Sequence, residues 1–104
     1  MSLVSIYAVF ANAEEAERVG RAVVHERLAA CVNILGPVRS IYRWKGAIET
    51  ADEVATIFKT SDAQADALLE RVAALHSYDV PCVVRSPAQK ALPDYVDWVE
   101  DSVG

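Results

Sequence analysis

Two arms rich in β-branched and aromatic residues fold back on each other between Leu28 and Thr60, and they constrain the chain more than any other stretch. The first runs Ala30-Cys31-Val32-Asn33-Ile34-Leu35, then Val38-Arg39-Ser40-Ile41-Tyr42-Arg43-Trp44. The second runs Ala47-Ile48-Glu49-Thr50, then Val54-Ala55-Thr56-Ile57-Phe58-Lys59-Thr60. Such composition favours strands, and the turn falls at Trp44-Lys45-Gly46, where Gly46 permits the positive φ of a tight hairpin. Each arm is longer than a usual strand of about 5–6 residues. Gly36-Pro37 interrupts the first arm, and Pro37 lacks a backbone donor, so it belongs at an edge, bend or bulge. A hairpin that outgrows its sheet leaves bare backbone, which a partner must cover.

The other segments complete a pattern. Leu3 to Phe10 is a short apolar run and reads as a buried strand. Asn12 offers an N-cap to a helix from Ala13 to about Ala29, with Ala16, Val19, Val23 and Leu28 along one side and Gly20 allowing close approach. Glu14–Arg18 and Glu17–Arg21 are spaced as i,i+4 pairs on its solvated side. Ser61 or Asp62 caps a second helix to Leu75, whose apolar side is Ala65, Leu68, Leu69, Val72 and Leu75. A polar break, His76-Ser77-Tyr78-Asp79, precedes a fourth strand from Val80 to Ser86, which Pro81 places at an edge or a strand start. After a loop, Pro93 suits the first turn of a last helix that buries Tyr95, Val96, Trp98 and Val99.

The order β-α-β-β-α-β plus a helix predicts an α+β fold: a ferredoxin-like sandwich, both main helices on one face of an antiparallel sheet, with an extended β2–β3 hairpin. The 104 residues suit one domain spanning 1–104, large enough to bury roughly 65% of its unfolded surface.

Charge narrows the function. A formal net charge of −5 with no basic run argues against nucleic acid and anionic membrane as partners. An RNA-binding sheet is further opposed by the lack of an aromatic RNP pattern in the central strands. No apolar run approaches the ~20 residues of a membrane span, and Met1-Ser2-Leu3-Val4 has no basic start of a signal segment. With two cysteines, these features predict reduced thiols in a cytoplasmic setting.

Enzyme motifs are missing. There is no Gly-rich phosphate loop, CxxC, HExxH or nucleophile elbow, and Ala11-Asn12-Ala13 lacks the arginine and glycines of an acylphosphatase loop. No catalysis is expected.

The candidate sites are binding sites. His76 follows the second helix, where it either bonds that helix's last carbonyls or ligates a metal. Cys82 and Asp79 are near it in sequence, and imidazole, thiolate and carboxylate together suit copper or zinc. Lys59 ends a strand beside a helix start, where it is either solvated or part of an anion site. Tyr42, Trp44, Tyr78, Tyr95 and Trp98 are dispersed and suit core or subunit contact; Tyr78, Tyr95 and Trp98, with Lys59, are also the candidates to line a ligand cleft. Cys31 lies in an apolar strand start and reads as a small core residue.

Leu28-Ala29-Ala30-Cys31-Val32-Asn33, Ser40 to Gly46, Phe58-Lys59-Thr60, His76 to Pro81 and Tyr95-Val96-Asp97-Trp98 resemble, in order and spacing, the motifs of the CutA divalent-cation tolerance family. The resemblance implies a ferredoxin-like homotrimer related in architecture to the PII signalling proteins. It implies a cytoplasmic protein in bacteria, tied to copper tolerance and copper binding; animal relatives are associated with acetylcholinesterase anchoring. It names no protein partner for this chain. Where the family usually reads His-Pro-Tyr-Glu-Val-Pro-Glu, this chain has Ser77, Asp79 and Cys82 in place of Pro, Glu and Glu. Some bacterial members hold copper with a Cys ending the first strand and a His-His pair. Here those places are Phe10 and Leu75-His76, so only His76 carries over. Two functions follow as expectations: a trimeric protein binding copper or another divalent metal, or a PII-like sensor binding a small anion between subunits.

Overall fold

The computed structural model describes residues 3–104; Met1 and Ser2, read above as part of an unremarkable start, lie outside the described residues. The elements are β1 (Leu3–Phe10), α1 (Ala13–His25), β2 (Cys31–Trp44), β3 (Ala47–Ser61), α2 (Asp62–Leu75), β4 (Val83–Pro87) and α3 (Pro93–Ser102). They form a four-stranded sheet in the order β2-β3-β1-β4, antiparallel throughout. This is the expected α+β, ferredoxin-like sandwich.

Alternation along β1 divides the packing. Val4, Ile6, Ala8 and Phe10 meet Ala16, Val19 and Val23 of α1 and Ala65, Leu68 and Val72 of α2 in one core. Leu3, of the opposite parity, packs instead with Val96 and Val99 of α3. The two long helices thus cover one face of the sheet, and α3 covers one end of the other face.

Local chemistry sets the helix starts. Asn12 accepts the Glu15 N–H at 2.8 Å, and Ser61, rather than Asp62, caps α2 by accepting the Gln64 N–H at 3.3 Å. Asp62 instead pairs with Arg85 at 2.6 Å. Glu17–Arg21 forms as expected at 3.6 Å, whereas Arg18 turns to Glu15 at 4.0 Å, not to Glu14.

α1 stops at His25, short of the expected Ala29. Arg27 takes a left-handed φ of 63°, and the Leu28 and Ala29 N–H groups both return to the Val23 carbonyl, at 3.0 and 3.2 Å. This conformation is costly for a residue with a Cβ. Arg27 is held there by donating Nε to the Gly104 carbonyl at 2.9 Å and its guanidinium to the Asp101 carbonyl at 3.1 Å. β4 begins at Val83, not Val80, because Pro81 has no donor for the ladder.

The hairpin is paired from Cys31↔Lys59 to Trp44↔Ala47. Lys45 and Gly46 close it with φ of 50° and 83°, the positive pair of a type I′ turn. One irregularity breaks the ladder: Leu35, between Ile34 and Gly36, has no partner on β3. Odd-numbered residues of β2 therefore face away from α1 and α2 before the bulge, and even-numbered ones after it. Pro37 follows the bulge on an edge strand. The tip is bare, with Ile41 72% and Ile48 62% exposed, and the molecule measures 45 × 26 × 21 Å.

Candidate functional site

Beyond the bulge, Ser40, Tyr42 and Trp44 point to the side of the sheet that α1 and α2 leave open. Glu49 lies opposite Tyr42 in the ladder, and Glu53, four residues or two pleat repeats further along β3, is on the same side. These residues, the end of β1 at Val9, and the α2–β4 connection enclose a cavity of about 560 Å³. The connection contributes Tyr78, Asp79, Val80 and Cys82. The Tyr78 hydroxyl donates to Glu53 at 2.9 Å and ties the two walls together. Burial, and then this bond and charge of Glu53, push the Tyr78 phenol up to about 12, so it stays a neutral donor at physiological pH.

The connection is hung on a buried pair. The Tyr78 N–H donates to His76 Nδ1 at 3.1 Å, so that nitrogen is unprotonated and Nε2 carries the hydrogen. Nε2 donates to the Val9 carbonyl at 2.6 Å. The ring stacks on Phe10, with centroids 4.7 Å apart. Glu15 of α1 accepts the Ser77 N–H at 2.7 Å and its hydroxyl at 2.9 Å. Burial alone would raise the Glu15 pKa; the Ser77 bonds and the Ala11 N–H outweigh it and hold the carboxyl below its ordinary 4.5.

The sequence candidates separate into groups. His76 does not take the helix-capping role that was one of the two expected for it. Its side chain bonds to β1 rather than to the last carbonyls of α2, and both ring nitrogens are engaged. A metal at His76 would have to displace Val9 or Tyr78. Asp79 and Cys82 do line the cavity. Among the described residues no three His, Cys, Asp or Glu side chains are gathered closely enough to hold a metal ion; Cys82 and Asp79 stand on the wall of the connection, and Glu49 and Glu53 on that of the hairpin. Lys59 lies far from Tyr78, pairing with Ser5 near the start of β1, while Tyr78 stands by Val9 near its end. Lys59 donates to the Asn33 amide oxygen at 3.0 Å. Tyr95 and Trp98 meet at 5.7 Å between ring centroids, and Tyr95 touches the sulfur of Cys31, the ladder partner of Lys59, at 3.7 Å. Lys59, Tyr95 and Trp98 therefore share one end of the sheet, and Tyr78 belongs to the other.

Sequence reasoning missed Glu15, Glu49 and Glu53. Glu15 follows the cap residue Asn12 at the spacing of a capping box, which was its signal. Glu49 was legible from the turn, since a two-residue loop at Lys45-Gly46 places it opposite Tyr42.

Fold and cavity together define a small α+β protein of the ferredoxin-like class, with an acidic, aromatic pocket beneath a projecting hairpin. The chain belongs to the family of CutA1 divalent ion tolerance proteins, which it matches over residues 4–102. It is 39% identical over 98 residues to the divalent-cation tolerance protein CutA of Archaeoglobus fulgidus, covering 94% of this chain and 95% of that one. The crystal structure of CutA from Xylella fastidiosa superposes with a TM-score of 0.97 at 34% identity over the full length of both chains. The structure of the periplasmic divalent cation tolerance protein CutA from Archaeoglobus fulgidus superposes with a TM-score of 0.94 at 37% identity, covering 98% and 99%.

Proposed function

We propose that this protein is a non-enzymatic homotrimer that binds divalent cations, copper foremost, in the cavity beneath its hairpin, with Asp79 and Cys82 as ligands. One observation carries the reading. The cavity presents the carboxylates of Glu49, Glu53 and Asp79 and the exposed thiol of Cys82, and no lysine or arginine lines it. Such a wall attracts cations, and a thiolate among oxygens favours copper or zinc over magnesium or calcium. Water or a neighbouring subunit completes the coordination. His76 acts here as the peg that fixes the connection bearing both ligands.

The trimer rests on the bare tip and on the two edges, β2 and β4, which a head-to-tail contact repeated about a three-fold axis would cover. The lack of catalysis rests on the missing nucleophile–base motifs, and steady turnover of an acyl phosphate abolished by one substitution would overturn it. A cytoplasmic setting rests on Cys31 and Cys82 as free thiols; recovery of the protein outside the cytoplasm on cell fractionation would overturn that.

Calorimetric titration with copper chloride, with magnesium as control, tests the site. Weaker copper binding in both Cys82→Ser and Asp79→Asn is expected. Binding unchanged in both variants places the metal elsewhere.

A second reading, a PII-like sensor of a small anion, is favoured by one feature. Among the described residues Lys59 has only the neutral Asn33 as a side-chain partner, which leaves its charge uncompensated beside Tyr95 and Trp98. Saturable binding of citrate by the metal-free protein, lost in Lys59→Ala, would favour this reading.

A further inference from the structure

We infer that His76 is a proton-operated release for the connection between α2 and β4: a proton taken up at Nδ1 breaks its bond with the Tyr78 N–H and turns the ring toward Glu15. The release rests on groups buried within one chain, which assembly neither covers nor exposes: the side chains of His76 and Glu15 are 0% and 7% exposed. Its consequence for cations rests on the function proposed above, because the connection carries Asp79 and Cys82.

Both ends of the connection are tied to one residue of β1. At its start His76 Nε2 donates to the Val9 carbonyl at 2.6 Å, and at its end the Val9 N–H donates to the Cys82 carbonyl at 3.4 Å. Between these ties His76 Nδ1 accepts the Tyr78 N–H at 3.1 Å, and Glu15 holds Ser77. The Nδ1 bond exists only while that nitrogen keeps its lone pair. A proton there sets one donor against another, so the Tyr78 N–H must leave. The Nε2 bond survives, because that nitrogen carries a hydrogen in both forms of the ring.

The charged ring has a place prepared for it. Glu15 Oε2 lies 3.8 Å from Nδ1, too far for a hydrogen bond and close enough to attract an imidazolium. Phe10 stacks on the ring with centroids 4.7 Å apart and 13° between planes, and an aromatic face favours a cation. One bond is thus exchanged for one ion pair, the property of a two-state element. The groups facing the ring come from four elements. β1 brings the uncharged Val9 and Phe10. α1 brings Glu15, with Arg18 4.0 Å beyond it. The connection brings Tyr78, which burial and Glu53 of β3 keep neutral. α2 ends at the Leu75 carbonyl, which accepts from Arg18. Histidine is the side chain whose ordinary proton exchange falls between about pH 5 and about pH 8, where carboxylates stay ionised.

The probe is the proton itself, followed by nitrogen NMR of the assembled protein from about pH 8 to about pH 5, with the exposed His25 as reference. His76 should pass from its Nε2–H form to the doubly protonated form, and the Tyr78 amide should shift with the same midpoint. Amides of residues 77–81 should open about threefold to tenfold more often, the equivalent of one hydrogen bond. His76→Asn offers the Tyr78 N–H an acceptor that takes up no proton, so this response should vanish. Should that variant lose its native circular dichroism, Glu15→Gln serves instead: it removes the charge that attracts the imidazolium and should move the midpoint to lower pH. A doubly protonated His76 with the Tyr78 amide undisturbed overturns the inference. So does a ring that stays neutral until the protein unfolds, or a response that persists in His76→Asn. Copper titrated at both ends of the range separates the claims. An acid loss of copper affinity about threefold to tenfold larger in the wild type than in His76→Asn is expected, and an equal loss in both overturns the link to the cation site. No copper bound at either pH overturns the function proposed above, while the amides still decide the release.

Discussion

Glu15 reaches from the first turn of α1 to hold Ser77, accepting its backbone N–H at 2.7 Å and its hydroxyl at 2.9 Å. This is a buried carboxylate with a structural task, and it anchors the connection that forms one wall of the cavity. Glu15→Ala leaves these donors without a partner and should destabilise the fold by about 2–3 kcal/mol at neutral pH. Urea denaturation measures it, and a loss within error would show that water replaces the carboxylate.

The same residue sets an acid response. Its folded pKa lies below the ordinary 4.5, so the folded state favours the charged form. That contribution is present above the unfolded value and disappears as pH falls through the folded one. Stability should therefore decline as the solution is acidified below 4.5, and the decline should be shallower in Glu15→Gln. Parallel curves for the two proteins would assign the acid response to other groups.

Gly20 sits where α1 crosses β2, and a Cβ there would lie 2.8 Å from Val32 Cγ1. Alanine gains up to about 1 kcal/mol of helix propensity, but overpacking against a stiff β-branched side chain costs about 1–3 kcal/mol. Gly20→Ala should be destabilising by about 1 kcal/mol. Combining it with Val32→Ala should give a favourable coupling in a double-mutant cycle. A stabilising Gly20→Ala would mean that β2 yields freely.

Lys45 holds a φ of 50° at the first central position of the hairpin turn, where asparagine is much better tolerated. Lys45→Asn should raise stability by about 0.5–1 kcal/mol, despite losing the contact with Trp44. A lower denaturation midpoint would show that the Lys45–Trp44 contact outweighs the backbone term.

Sedimentation equilibrium should give three times the chain mass of 11.3 kDa at micromolar concentration, with a melting temperature that rises with concentration. Ile48→Asp, on the bare tip and outside the cavity, should shift the protein toward monomer. A wild-type monomer would sink the trimer.

What could be read from the chain depended on distance along it. The first three strands, the cap at Asn12 and the overlong hairpin are local patterns of period, branching and turn chemistry, and were legible; the cap of α2 stayed open between Ser61 and Asp62, and β4 was read from Val80 rather than Val83. The end of α1 was not, because no glycine or asparagine marks it; Arg27 holds the left-handed turn with the help of bonds to the distant Asp101 and Gly104. The role of His76 was hidden for the same reason. Its partner Val9 is 67 positions away, and Glu15 and Ser77 are 62 apart, so nothing near His76 distinguished a peg from a metal ligand. Cys82 and Asp79 were found as potential ligands, but which wall they share is a property of the folded chain.

The unpaired Leu35 has a consequence for how assembly evolves. On either side of it the two strands are fully matched, so removing it would heal the ladder without exposing a single core side chain. What would change is the bearing of the distal arm, because a bulge bends and twists its strand. The domain and its reach toward neighbours thus hang on different residues. In the trimer proposed above, this one residue would act as a wrist between the hand that folds and the fingers that grip, and assembly would be free to drift or be lost while each copy remains soundly folded.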